Sequence, residues 1–413
     1  MEKRRIVITG MGAVTPIGNT VKDFWQAALN GESGAAAITK FDASDHPTKF
    51  ACEIKNLSIE GIIDQKESRR MDEFTKYAMV AAHEAILDSG LDFEKEDPER
   101  IGVIIGSGIG GIQTFEQEHS KLLSGGPRRV SPFFIPQMII DIASGLVSMK
   151  YNLKGPNYST VSACATASHA IGDAFKTLQR GDADVMITGG SEAAVCPMGV
   201  AGFNSMKAIS TRNDDPKRAS RPFDKDRDGF VMGEGGGIVV LETLEHAKNR
   251  NANIHGEIRG IGFTADAHHI TAPAPGGEGA VRAMKLCLKD GQLNLDDVQY
   301  INAHGTSTPH NDRSETEAIK TVFGEKAYSL NVSSTKSMVG HLLGAAGSVE
   351  LIAAVLAIKN GVIPPTINYQ TPDPDCDLNY TPNQPIERKV FAAVSNTFGF
   401  GGHNAVLAVS AFK

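Results

Sequence analysis

Cysteine is scarce in this sequence: five thiols in 413 residues (Cys52, Cys164, Cys196, Cys287 and Cys376), with no C-x-x-C pair. A scattered, odd set fits neither a disulfide framework nor a zinc site. Reduced thiols are the simplest expectation, as in the cytoplasm. No uncharged apolar stretch is long enough to span a bilayer. The first residues, Met1-Glu2-Lys3-Arg4-Arg5, run directly into Ile6-Val7-Ile8-Thr9-Gly10, a strand pattern and not the apolar region of a signal peptide. Excess positive charge is missing too. The net charge is −7 and the pI near 6.0, which gives no global field for nucleic acid or an anionic membrane. Low-complexity linkers are absent. The expectation is a soluble, cytoplasmic protein with neither nucleic acid nor membrane as partner.

What is present is ordinary globular material, 41% apolar and 22% charged, in a chain longer than one core usually organises. The 43 glycines are spread through apolar segments, which suggests tight turns and close packing. Short β-branched runs at 4–9, 101–106, 184–188, 237–241, 298–302, 330–333, 391–395 and 405–410 predict strands. Helical patterns lie at about 68–89, 164–179, 278–290, 312–323 and 341–359. The alternation predicts an α/β fold with buried sheets. A faint repeat pairs 228–241 with 398–410: each is a Gly-Phe turn with further glycines feeding an apolar strand. Ahead of each lies a small-residue helix with a reactive-looking start. Two similar halves, 1–255 and 256–413, are therefore expected.

Four segments carry candidate chemistry. In Val161-Ser162-Ala163-Cys164-Ala165-Thr166 a polar turn leads into an amphipathic helix. Cys164 in its first turn would gain from free N–H groups and the helix dipole, which favour a thiolate. A lone cysteine more often packs than reacts, so its company matters. Tyr300-Ile301-Asn302-Ala303-His304-Gly305-Thr306-Ser307-Thr308 ends a strand in a polar turn, where α/β proteins commonly place chemistry. Ser334-Thr335-Lys336-Ser337-Met338-Val339-Gly340-His341 precedes an almost wholly apolar segment, which leaves Lys336, His341 and Glu350 in need of partners. Phe398-Gly399-Phe400-Gly401-Gly402 could bring a backbone N–H to a substrate. Two further matches fail. Gly106-Ser107-Gly108-Ile109-Gly110-Gly111 fits a dinucleotide fingerprint but lies far from the first strand and lacks the later acidic residue. Asp224-x-Asp226-x-Asp228-Gly229 opens like a calcium loop, yet has Gly235 where a bidentate Glu is required.

Together these segments resemble the β-ketoacyl-[acyl-carrier-protein] synthases, most closely the elongating type II enzymes of bacterial fatty acid synthesis. The resemblance runs from Val7-Ile8-Thr9-Gly10-Met11-Gly12 to Phe398-Gly399-Phe400-Gly401-Gly402 and includes Arg129-Val130-Ser131-Pro132-Phe133-Phe134 and Arg221-Pro222-Phe223-Asp224. It implies a thiolase-like fold, two βαβαβαββ halves in a five-layer αβαβα arrangement, and usually a homodimer. It also implies a Cys-His-His triad at Cys164, His304 and His341. Initiating synthases carry Asn in place of the second His and thiolases a second Cys, so His341 favours an elongating, decarboxylating enzyme.

Further roles follow from the same resemblance. The N–H groups of Cys164 and Phe400 would form the oxyanion hole, with Phe400 as gate. Lys336, Asp312, Glu315 and Glu350 would support the histidines. Thr306 and Thr308 would hold the phosphopantetheine arm. Ile109, Phe398 and Thr271 would contact substrate. No metal or resident cofactor is implied, because phosphopantetheine arrives on the acyl carrier protein. That acidic partner would meet local basic groups: Lys66, Arg69 and Arg70, which share one face if 64–78 is helical, with Arg128, Arg129 and Lys207 as further candidates. His310 and Ala272 depart from the family pattern near the carrier arm. A discrete polyketide synthase would share the constellation. A chain-length-factor-like subunit would lack Cys164, and a Cys–His hydrolase would need neither Lys336 nor a second histidine.

Overall fold

The computed structural model describes residues 3–413. Ten principal strands form one continuous sheet: β1 (Ile6–Val14), β2 (Ile101–Gly106), β3 (Asn157–Tyr158), β4 (Val185–Glu192), β5 (Gly235–Thr243), β6 (Gly256–Ala265), β7 (Val298–Asn302), β8 (Asn331–Ser333), β9 (Ala392–Gly399) and β10 (His403–Ser410). Their spatial order is β8-β7-β9-β10-β6-β1-β5-β4-β2-β3. Read inward from each edge, the first five run β3-β2-β4-β5-β1 and the second five β8-β7-β9-β10-β6, the same order shifted by five. The directions agree as well. In each set the edge strand pairs parallel and the two inner pairings are antiparallel. The sets join where Ile6–Ile8 pairs with Gly256–Ile258.

Apolar pattern decides where the helices go. The helix α6 (Ala346–Asn360) is buried throughout Ala346–Ala357, and α3 (Thr166–Arg180) is buried along most of its length. A helix apolar all round must have protein on all sides. These two share one core with strands from both sets and form the middle layer. The outer face of the first set carries α1 (Glu73–Ser89) and α2 (Ile142–Tyr151). The outer face of the second carries α4 (Glu278–Asp290) and α5 (Pro309–Phe323). The stacking is αβαβα, the thiolase-like arrangement. Among the described residues, the one helical stretch apolar enough to cross a membrane, Leu343–Asn360, is 83% buried in this middle layer.

The repeat read in the sequence falls on equivalent elements: β5 and β10, preceded by α3 and α6. Several boundaries differ from expectation. The strand expected at 4–9 covers Ile6–Val14, and β6 was not anticipated because Gly-Glu-Ile-Arg-Gly-Ile-Gly mixes charge and glycine into its core run. The helix expected at 341–359 begins only at Ala346, because His341 is held extended against Met232. The segment 64–78 is not one helix. A four-residue turn of helix ends at Ser68, and Asp72 caps a new start at Glu73 by accepting the Phe74 N–H.

Candidate active site

Both catalytic candidates on the middle layer sit in the turn before a helix. Cys164 lies in a 3-10 turn, Ala163–Ala165, ahead of α3 and not within it. Ala163 holds φ at 51°, in the left-handed region. Thr166 stabilises this bend: its hydroxyl accepts the Ser162 N–H at 2.9 Å and donates to the Ala163 carbonyl at 2.7 Å. The Phe398–Gly402 turn lies directly on it. A Cβ at Gly399 would stand 3.1 Å from the Cys164 nitrogen and 2.9 Å from the Ser162 carbonyl, so only glycine lets the two backbones approach. The Phe400 N–H reaches the Cys164 sulfur.

His341 Nε2 is 3.1 Å from Cys164 Sγ. Its backbone is pinned on both sides, donating to the Val231 carbonyl at 2.7 Å and accepting the Gly233 N–H at 2.9 Å. His304 follows β7, and its ring meets that of His341 edge-on, centroids 5.3 Å apart. Glu315 on α5 holds the His304 turn, accepting the N–H groups of His304 and Gly305 at 2.8 and 2.7 Å. Lys336 is buried and paired with Glu350 of α6, and its Nζ lies 3.4 Å from His304 Nδ1.

These contacts fix the protons. His341 Nδ1 accepts the Leu343 N–H at 3.2 Å, and His304 Nδ1 faces the Lys336 ammonium. Each ring therefore carries its proton on Nε2 when neutral. Burial and the Lys336 charge hold both imidazoles well below the usual histidine range, so neutral is the resting state. Both neutral rings thus offer an Nε2–H, and that of His341 points at the sulfur. The sulfur and ring nitrogens of Cys164, His304 and His341 lie within 4.8 Å of one another, close enough for a metal ion. A metal at Nε2 would need the proton on Nδ1, where each ring meets a donor instead. The donor set fits an oxyanion better than a cation.

The thiolate-favouring start of a helix, expected from sequence, is outweighed. Burial pushes the Cys164 thiol up to about 11, against the opposing pull of Lys336 and the Phe400 N–H. Cys164 therefore rests as a thiol, beside a cation and an N–H group that would stabilise negative charge on the sulfur.

This geometry has close relatives. The Beta-ketoacyl synthase, N-terminal domain, profile matches residues 3–247, and the Beta-ketoacyl synthase, C-terminal domain, profile matches 255–370. The chain belongs to the beta-ketoacyl synthase family. It is 56% identical over 412 residues to 3-oxoacyl-[acyl-carrier-protein] synthase 2 of Staphylococcus aureus, covering 100% of this chain and 99% of that protein. The Synechocystis protein of the same name is 53% identical over 413 residues, covering 100% and 99%. A beta-ketoacyl synthase from Burkholderia phymatum superposes with a TM-score of 0.93 at 36% identity over 99% of this chain and 100% of that one. A type II PKS ketosynthase, solved in complex with its acyl-carrier protein, gives 0.93 at 34% identity over 100% of both chains.

Cys164, His304 and His341 all face one cavity, of about 410 Å³. Ile109, Phe203 and Phe398 make part of it apolar. Thr306, Thr308 and Thr271 line it with hydroxyls, the first two hydrogen-bonded to each other at 2.8 Å. Asp312 is one step removed, accepting the Phe223 N–H at 2.8 Å beside Arg227. The exposed His310 and Ala272 also line the cavity. Of the basic candidates, Lys207 is exposed and lines it too. Lys66, Arg69 and Arg70 are exposed but not on one helix face. Arg70 lies over the Phe133 ring, 4.3 Å from its centroid. Arg128 and Arg129 are exposed on the turn Pro127–Arg129.

Sequence reasoning missed Glu192, which lines the same cavity. The signal was a carboxylate ending the apolar strand Val185–Glu192. The glycine-rich run 106–111 does surround an anion, but that anion is the Glu192 carboxylate and not a nucleotide phosphate.

Proposed function

We propose that this chain condenses acyl-[acyl-carrier-protein] with malonyl-[acyl-carrier-protein] in fatty acid elongation, through an acyl-Cys164 intermediate. Residues 1–255 supply the nucleophile and 256–413 both histidines. The observation that carries this reading is the grouping of Cys164 Sγ with a ring nitrogen of His304 and of His341 within 4.8 Å, each ring keeping its proton on Nε2.

In the first half-reaction the sulfur attacks the acyl thioester. Its proton leaves with the departing pantetheine thiol, and the N–H groups of Cys164 and Phe400 receive the oxyanion. In the second, the malonyl thioester loses CO₂, and the enolate oxygen accepts hydrogen bonds from both histidines in a site that excludes water. The enolate carbon attacks the acyl-Cys164 carbonyl. The tetrahedral intermediate expels the sulfur, which takes up one proton, and β-ketoacyl-carrier departs. Lys336 and Glu350 hold His304 in its donor tautomer, while Glu315 and Asp312 brace the turn that carries it. Phe400 gates entry. Thr306, Thr308 and Thr271 line the arm, and Ile109 and Phe398 the acyl chain. The chain needs no resident cofactor or metal, since phosphopantetheine comes with the carrier.

Two further assignments belong to this reading. Carrier docking uses Lys207 with Lys66, Arg69, Arg70, Arg128 and Arg129, opposite an acidic partner. A homodimer in the cytoplasm is part of this reading, and Tyr158, 40% exposed on the edge strand β3, supports an apolar contact at that edge. Fatty acid elongation is favoured over a polyketide pathway by 56% identity to the Staphylococcus aureus synthase against 34% to the type II PKS ketosynthase. The test is product analysis with acyl- and malonyl-carrier. A β-ketoacyl-carrier two carbons longer is expected from the wild type and none from Cys164→Ala. Free fatty acid as the sole product would overturn the assignment in favour of hydrolysis.

A further inference from the structure

Glu192 is fully buried at the end of β4, and none of the steps above uses it. Its carboxylate accepts five hydrogen bonds: from Ser107 Oγ at 2.7 Å and from the N–H groups of Gly108 (2.8 Å), Ile109 (3.1 Å), Gly110 (3.3 Å) and Gly344 (3.0 Å). Four backbone donors and a hydroxyl aimed at one point make an anion nest. Here the acidic group belongs to the chain: burial raises its carboxyl, while Ser107 and the backbone N–H groups pull it down. The fit is close: a Cβ at Gly344 would stand 2.7 Å from Glu192 Oε2 and 2.2 Å from the Gly108 nitrogen.

The donors come from opposite halves of the fold. Ser107–Gly110 follows β2 and carries Ile109 into the cavity. Gly344 lies in the turn Leu343–Ala345 that opens α6, and the Leu343 N–H of that turn sets the tautomer of His341. The internal repeat makes this turn the counterpart of Ala163–Ala165. Each is a three-residue 3-10 turn immediately before a fifteen-residue helix, and each starts in the left-handed region, at φ 51° for Ala163 and 49° for Leu343. Cys164 and Gly344 are the equivalent middle residues. In the first half that position holds the nucleophile. In the second its N–H is occupied by Glu192.

We propose that Glu192 is a positioning residue for the condensation: its carboxylate locks the Ile109 loop to the Leu343–Ala345 turn, so one buried group sets both acyl-chain fit and the aim of His341. The inference rests on the condensation reading given above. Glu192→Gln keeps the shape but turns an NH₂ against backbone N–H donors in either orientation. The loop and the turn then part, which moves Ile109 and frees His341 Nδ1. Ser107→Ala removes one donor and leaves the carboxyl and the four backbone donors in place.

The test measures condensation kcat and KM for long and short acyl-carriers. Rates are normalised to the fraction of chains that form an adduct at Cys164 by intact mass, so a misfolded fraction does not count. For Glu192→Gln we expect kcat per adduct-forming site to fall by about tenfold or more. The ratio of kcat/KM between long and short chains should shift by at least about threefold, with KM for malonyl-carrier within about twofold. Ser107→Ala should move both quantities the same way by less, and it carries the test if Glu192→Gln does not fold. Normalised kcat and chain-length ratio both unchanged would overturn the proposal. A Cys164→Ala enzyme as active as wild type would instead overturn the condensation reading, a separate result.

Discussion

His341 Nε2 sits 3.1 Å from Cys164 Sγ with its proton directed at the sulfur, because Nδ1 on the far side of the ring already accepts the Leu343 N–H. The imidazole is therefore a donor to developing negative charge and not a base resting against a thiol. His304 is oriented the same way by Lys336.

Removing either donor should separate the two half-reactions. His341→Ala and His304→Ala are each expected to lower condensation kcat by about 10²–10³-fold, the usual cost of one oxyanion donor. Acylation of Cys164, served by backbone N–H groups, should persist at saturating acyl-carrier. Rapid-quench kinetics on each step checks this. Loss of acylation in proportion to condensation would contradict the donor assignment.

Lys336 and Glu350 form a pair buried on both sides. Lys336→Met leaves the carboxylate unpartnered and should cost about 3–5 kcal/mol of stability. Adding Glu350→Gln should restore much of the melting temperature but not the activity, because His304 Nδ1 still lacks its donor. Calorimetry and turnover on the two variants decide it. Recovery of both properties together would make the pair purely structural.

Glu315 gives a pH signature. Burial raises its carboxyl from 4.5 to about 7 in the folded state, against the N–H groups of His304 and Gly305. A carboxyl raised on folding lends stability that is present below its unfolded value and lost as pH climbs through the folded one. Relative to wild type, Glu315→Gln should therefore gain stability as pH rises from about 5 to about 8. The buried histidines are common to both proteins and cancel. Thermal melts across that window test it, and a flat or falling difference would contradict the assigned cause.

Carrier docking is tested by Lys66→Glu with Arg69→Glu. KM for carrier-bound substrate should rise several-fold at low salt, more than KM for a small thioester, with kcat little changed. Equal effects on both substrates would remove these residues from the interface. Lys207→Glu should act in the same direction, since Lys207 stands at the cavity itself.

The α/β alternation and the internal repeat were legible in the sequence, and Cys164, His304 and His341 stood out as candidates, because each leaves a local mark. Apolar runs mark buried strands, a small-residue helix marks the middle layer, and polar residues beside apolar runs mark groups needing partners. The grouping of Cys164 with two distant histidines came from family resemblance, since 177 residues separate Cys164 from His341. Two features were hidden because their causes are tertiary. Cys164 reads in sequence as the first turn of a helix, but in space it is buried ahead of that helix, and burial wins, keeping it a thiol. The glycine run 106–111 carries an anion-binding signal whose partner lies 82–85 residues away, in Glu192. The single helix face expected for Lys66, Arg69 and Arg70 is absent for a local reason: the short helix ends at Ser68 and Asp72 caps a new start at Glu73.

The central claim is that Cys164 holds the growing chain. Intact-mass analysis after incubation with acyl-carrier alone tests it most directly. The account predicts one acyl group per chain, mapped to Cys164, absent in Cys164→Ala and discharged as β-ketoacyl-carrier when malonyl-carrier is added. Condensation by an enzyme that never carries an acyl group at Cys164 would contradict it.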